Sequence, residues 1–134
     1  MKIDLTTESD INPGLCIADL ESIAKDISGK LEIIKPKATV EVFFVNDDKI
    51  RKLNKKYRHK NEVTDVLSFP QKNFSTGEQE VLGTIFIAPK FAKKESVESK
   101  ELFIHGILHL LGFDHDINMM SWLNAEKKIE RTTL

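Results

Sequence analysis

His105 and His109 stand four residues apart within Glu101–Asp116, which reads Glu-Leu-Phe-Ile-His-Gly-Ile-Leu-His-Leu-Leu-Gly-Phe-Asp-His-Asp. On a helix this spacing sets both imidazoles on one face, one turn apart, where they reach a common point. Gly112 follows, suited to the left-handed conformation that ends a helix, and His115 would then arrive from beyond the helix end. Three imidazole nitrogens leave the fourth tetrahedral position of a zinc ion open, the arrangement of a catalytic rather than a structural site. No residue from Leu102 to Phe113 is charged when the histidines are neutral, and apolar residues cover nearly every side of the wheel, so the helix is predicted to be buried. Buried imidazoles need partners. Core hydrogen bonds would serve them singly, whereas one metal ion serves them together.

The pattern H-x-x-x-H-x-x-G-x-x-H repeats the ligand spacing of metzincin proteases, with Gly106 in the place of their glutamate. The metal site survives that difference, but a peptidase would lack its general base.

The elements that must position these ligands follow from patterning. A chain of 134 residues, 40% hydrophobic and 31% charged, is long enough to bury its own core as a single domain over residues 1–134. Lys2–Thr7 alternates as a half-buried strand, and Leu15, Ile17, Leu20, Ile23, Ala24, Ile27 and Leu31 recur at helical spacing. Thr39–Val45 reads as a strand, and Asn46-Asp47-Asp48 offers caps for a helix that turns Ile50, Leu53 and Tyr57 inward. Val63–Phe69 is a short strand stopped by Pro70, Gln71–Glu80 a polar loop, and Val81–Ala88 a central strand, apolar on both faces. Pro89 suits the first position of a short helix over Lys90–Glu95. Ser96 or Ser99 would cap the histidine helix, and Asp116 a last helix through about Arg131. The fold class is α+β: a small mixed four-stranded sheet packed with about five helices.

Composition narrows the partners. The net charge of −1 gives no global pull toward nucleic acid, so such a partner must be held by a local patch. Lys49, Arg51, Lys52, Lys55, Lys56, Arg58 and Lys60 form the one strongly basic block. Taken alone, this charge run reads as a solvated helix face, the commoner fate, although ordinary exposed helices mix both signs and this one lacks interleaved acids. Cys16 lies in an apolar helical pattern and reads as a core thiol; a single cysteine suits a reducing compartment. No apolar run is long enough to span a membrane, and the first residues lack the apolar core of a signal peptide, so the protein is read as cytoplasmic.

Two stretches together resemble a known family. His105-Gly106-Ile107-Leu108-His109-Leu110-Leu111-Gly112-Phe113-Asp114-His115 is similar to the metal signature of the YbeY endoribonucleases, bacterial ribosomal RNA maturation factors. Leu53-Asn54-Lys55-Lys56-Tyr57-Arg58, running into Thr64-Asp65-Val66-Leu67-Ser68-Phe69-Pro70, is similar to its second signature. The resemblance implies a single-strand-specific, metal-dependent endoribonuclease that helps mature the small-subunit ribosomal RNA and clear defective ribosomes. It lays the family's metal ligands on His105, His109 and His115 and its functionally important arginine on Arg58. Thr84, where the family usually carries an aspartate, and the compact connection from Ala92 to Ser99 depart from the pattern.

Under this reading a three-histidine zinc lowers the pKa of its bound water to ~7, and Arg58 holds phosphate bidentately. Lys52, Lys55, Lys56 and Lys60, with Ser68 beside the cleft, are the expected RNA contacts, giving salt-dependent affinity with little sequence selectivity. Asp114 reads better as a carboxylate orienting a histidine than as the base, Tyr57 as core, and His59 as exposed. Two alternatives stay open: a metallo-hydrolase or peptidase, and a non-catalytic ribosome-assembly factor.

Overall fold

β-Branched and aromatic residues build the sheet around which the chain is arranged. The computed structural model describes residues 2–7, 11–31, 38–70 and 80–111. Strands β1 (Lys2–Thr7), β2 (Ala38–Phe44), β3 (Val66–Pro70) and β4 (Glu80–Ile87) lie in the order β1-β2-β4-β3. β1 and β4 both run parallel to β2, while β3 runs antiparallel to β4, so the sheet is mixed and β4 is central, as its two apolar faces require. The helices are α1 (Ile17–Leu31), α2 (Asp47–Arg58), α3 (Pro89–Lys94) and α4 (Ser99–Leu110). Four helices therefore lie among the described residues; the expected last helix and nearly all of the expected polar loop lie outside them. No helix among the described residues is long and apolar enough to cross a membrane.

Period-two alternation divides the strands between two cores. Val40, Val42 and Phe44 of β2 and Ile85 and Ile87 of β4 pack with Leu20, Ile23 and Ile27 of α1 and with α4. Phe43, Phe86, Leu67 and Phe69 take the opposite face with Ile50 and Leu53 of α2. α4 buries Leu102, Phe103, Ile104, Ile107, Leu108 and Leu110. At roughly 1.5–3 kcal/mol for each such side chain, burial outweighs the ~1 kcal/mol that a missing cap costs. That explains why α4 forms although its N-cap residue, Glu98, makes no side-chain capping bond.

Several boundaries differ from expectation. β3 begins at Val66 rather than Val63 and includes Pro70, which an edge strand tolerates because one side of its backbone makes no ladder bond. Ser96 caps nothing at α4. It takes a left-handed conformation, φ 59°, at the end of α3, where its amide donates to Lys93 O and the Val97 amide to Ala92 O. This paired closure satisfies the last carbonyls of α3 and makes the short connection to α4 possible. Cys16 is not a core thiol; it is exposed just before α1, with its amide and thiol both donating to Asp19 Oδ2 at 3.0 and 3.2 Å.

α2 starts as expected, with Asn46 Oδ1 accepting from the Lys49 amide at 2.8 Å. It ends at His59, exposed as expected and left-handed at φ 60°, where glycine is the residue without a Cβ penalty. His59→Gly is expected to raise stability by roughly 0.5–1 kcal/mol, read as a rise in the urea midpoint.

Candidate functional site

The two described histidines of the metal pattern occupy the one strip of α4 that the core leaves partly open. His105 and His109 are half-buried, one turn apart, while Leu102, Phe103, Ile104, Gly106, Ile107, Leu108 and Leu110 are buried around them. Two imidazoles in register on a rigid, packed helix fit a borderline-soft cation such as zinc. Among the described residues no group of three His, Cys, Asp or Glu side chains converges; the pattern's third histidine, His115, lies outside them, as do Gly112 and Asp114.

Gly106 gains a structural explanation. A Cβ there would stand 2.8–3.1 Å from three Ile85 side-chain atoms, so a larger residue would require that side chain to shift. The position that carries glutamate in metzincins is here buried against the Ile85 side chain of the central strand.

The residues of the second signature lie on α2, on β3 and in the loop between them. Asn54, only 4% exposed, donates from Nδ2 to Glu62 O at 3.0 Å, and its own carbonyl accepts the amides of His59 and Lys60. One buried amide thus fastens the end of α2 to the loop that leads into β3. Sequence reasoning passed over Asn54; its signal was a polar residue four positions after Ile50, on the buried face of the helix.

Arg58, in the next turn, donates from Nη2 to Ser68 O at 3.1 Å, and its guanidinium lies 5.8 Å from the Phe69 ring centre. Ser68 is buried and pairs across the ladder with Ile85, which places its side chain on the α4 face of the sheet. Edge strand β3 therefore links the two signatures: Arg58 grips its backbone, and α4 packs against it. Thr84, paired with Phe69 and Glu41, alternates to the face away from α4, so that departure falls on the side opposite the histidines.

The basic block is less uniform than its sequence suggested. Asp48, in the first turn, pairs with Arg51 at 2.8 Å and Lys52 at 3.1 Å, so Lys52 is partly neutralised. A hydrogen bond from Arg51, then one from Lys52, holds the Asp48 carboxyl below its ordinary range. The support this exposed pairing gives is present at neutral pH and is lost as pH falls through that depressed value. Acids in the first turn and Lys55, Lys56 and Arg58 in the last also suit the helix dipole. Lys55, Lys56 and Lys60 are exposed, with Lys56 Nζ 5.1 Å from the Tyr57 ring centre. Tyr57 itself is not core: it is exposed and rests edge-on against Phe69.

An α+β domain in which an arginine-bearing helix and a histidine-bearing helix meet one edge strand has clear counterparts. Residues 5–131 match the family described as Endoribonuclease YbeY. The chain is 40% identical over 125 residues to an Endoribonuclease YbeY of Aliarcobacter butzleri, covering 87% of this chain and 83% of that one. It is 34% identical over 139 residues to that of a Sulfurovum species, covering 95% and 87%. Its fold is similar to the solution structure of a Thermotoga maritima protein, with a TM-score of 0.57 at 24% identity, over 96% of this chain and 87% of that one. The chain belongs to the endoribonuclease YbeY family.

Proposed function

We propose that the protein is a single-strand-specific, metal-dependent endoribonuclease that acts in small-subunit ribosomal RNA maturation and in ribosome quality control. The observation that carries this reading is the meeting at β3: Arg58 is fixed to the Ser68 carbonyl on the strand against which the helix of His105 and His109 packs. His105, His109 and His115 would hold one zinc ion, which supplies a Lewis acid beside the scissile phosphodiester.

Arg58 orients the substrate. Its guanidinium has five N–H donors and the Ser68 contact uses one, so the rest of the fork can take phosphate oxygens and offset charge that builds at phosphorus. Lys55, Lys56 and Lys60 attract the backbone by charge, with Lys52 weakened by Asp48, and affinity should fall steeply with salt. Gly106 speaks against a peptidase, because the base that class requires is absent from its position.

Metal analysis followed by incubation with end-labelled single-stranded RNA tests the reading. Cleavage is expected to stop on chelation and return when zinc is restored; cleavage that persists unchanged without metal would overturn it. Arg58→Ala is expected to keep fold and metal while slowing cleavage about 100-fold, by the measure of removing one positioned transition-state donor. An unaffected rate would remove Arg58 from the site, and a wild-type protein that binds RNA without cutting it would leave an assembly factor.

A further inference from the structure

α2 ends on an aromatic side chain that its own packing does not bury. Tyr57 is 53% exposed, yet its ring is not loose. Phe69 meets it at 5.2 Å between centroids and 62° between planes, Phe69 leans likewise on Phe86 at 5.9 Å, and Phe86 stacks on Phe43 at 5.0 Å. An aromatic ladder thus climbs from the sheet to solvent and stops at Tyr57. A cation stands over each of its last two rungs: Lys56 Nζ is 5.1 Å from the Tyr57 centroid and the Arg58 guanidinium 5.8 Å from that of Phe69.

We propose that Tyr57 is the stacking platform for one unpaired RNA base whose adjoining phosphate is held by Arg58, and that this contact makes the site select single strands. The proposal rests on the endoribonuclease reading above and adds the residue that tells a single strand from a duplex. The base has a place to go. What lies over the tyrosine is Lys56, a flexible, exposed amine whose cation–π contact is weak in water, whereas stacking on an aromatic ring contributes about tenfold in affinity per base. The ring is already oriented by Phe69, so little freedom is lost when a base arrives. Adjacent residues supply adjacent contacts: Tyr57 offers a flat face to a base and Arg58 offers donors to the neighbouring phosphate. A paired base has neighbours on both faces and cannot enter without unstacking, so a duplex is turned away at Tyr57 rather than at Arg58.

A tyrosine that merely shields Phe69 would be replaced without loss by an apolar side chain of similar reach, and that difference separates the two roles. Binding is measured with an uncleavable 2′-O-methyl single strand carrying 2-aminopurine, and with a matching hairpin duplex, for the full-length protein and for Tyr57→Phe and Tyr57→Leu. Tyr57→Phe should bind as the wild type does. Tyr57→Leu should bind the single strand about tenfold more weakly and the duplex unchanged, so that strand selectivity falls by the same factor. An abasic residue walked along the oligonucleotide should reveal one position whose removal weakens wild-type binding about tenfold and leaves Tyr57→Leu unaffected.

Equal binding of the single strand by Tyr57→Leu and wild type overturns the proposal, as does an equal loss on strand and duplex. Should Tyr57→Leu fail to fold, the abasic walk on the wild type decides: no sensitive position means no platform. A wild type that binds and cuts RNA beside an indistinguishable Tyr57→Leu sinks stacking alone, whereas a wild type that binds no RNA sinks the endoribonuclease reading with it.

Discussion

Gly83→Ala is expected to cost roughly 3 kcal/mol or more of folding stability, from one added methyl group. Gly83 has φ +146°, a conformation that L side chains rarely adopt, and a Cβ there would overlap the Phe69 carbonyl oxygen and stand 2.7 Å from Leu110 Cδ2 and 3.0 Å from Pro70 Cα. Two of those atoms are backbone of β3, which cannot give way without breaking the ladder that pairs Pro70 with Gly83. Strained backbone, at ~1–3 kcal/mol, and overpacking, at ~1–3 kcal/mol, therefore add. The other glycines separate these effects. Gly106→Ala meets only the Ile85 side chain and should show the overpacking cost alone; Gly14, at φ +74° with nothing within 4 Å, should show the conformational cost alone. Urea denaturation of the three variants is expected to rank Gly83 as the most costly, and a Gly83 variant no worse than the Gly14 one would refute the close approach. Since Leu110 closes α4, the same substitution should disturb the histidine helix and slow cleavage beyond what its unfolded fraction explains.

What the sequence revealed of the fold is what periodicity encodes. Strands β1, β2 and β4 and the four described helices follow from alternation, helical repeats, Asn46 and Pro89, because burial of those faces dominates the energy. The misjudged positions lie where local backbone geometry competes with pattern. Ser96 looked like a cap because serine favours that place, yet a left-handed turn at the end of α3 satisfied more carbonyls. Tyr57 keeps the seven-residue spacing from Ile50, but at the end of α2 it is 53% exposed, resting edge-on against Phe69 with Lys56 over its ring. Cys16 shared the apolar spacing of α1 but precedes its first turn, where Asp19 draws its amide and thiol outward.

Of the candidate site, the sequence shows the helix and the spacing but not the contacts across the fold. Histidine spacing on a charge-free segment located the helix and its open strip, since any residue four positions on shares a helical face. Arg58 and Ser68 belong to one signature ten residues apart in sequence, and the fold joins them by a hydrogen bond. Asn54 and Gly106 were hidden because their roles depend on what lies across the fold: a loop carbonyl in one case and the Ile85 side chain in the other. The missing glutamate at position 106 read as the loss of a base, when it is equally the consequence of how closely α4 approaches the sheet.

His109→Ala is expected to lower cleavage of single-stranded RNA about a thousandfold or more with little change in stability. The two readouts separate because the helix owes its position to Phe103, Ile107, Leu108 and Leu110, which remain buried, while alanine is the best helix former. The urea midpoint should therefore correspond to a change within about 1 kcal/mol. Cleavage should suffer far more: one of three proposed imidazole donors is gone, and with it ~4 kcal/mol of transition-state charge stabilisation, which is a factor of about a thousand in rate. Metal content measured on the same sample should fall in parallel. His59→Gly supplies the matched control, because it removes an exposed histidine that lies on α2 rather than α4, and it should keep wild-type metal and cleavage. If His109→Ala binds metal and cuts RNA as the wild type does, the α4 imidazoles have no part in the reaction. The nuclease reading would then stand on family membership and Arg58 alone.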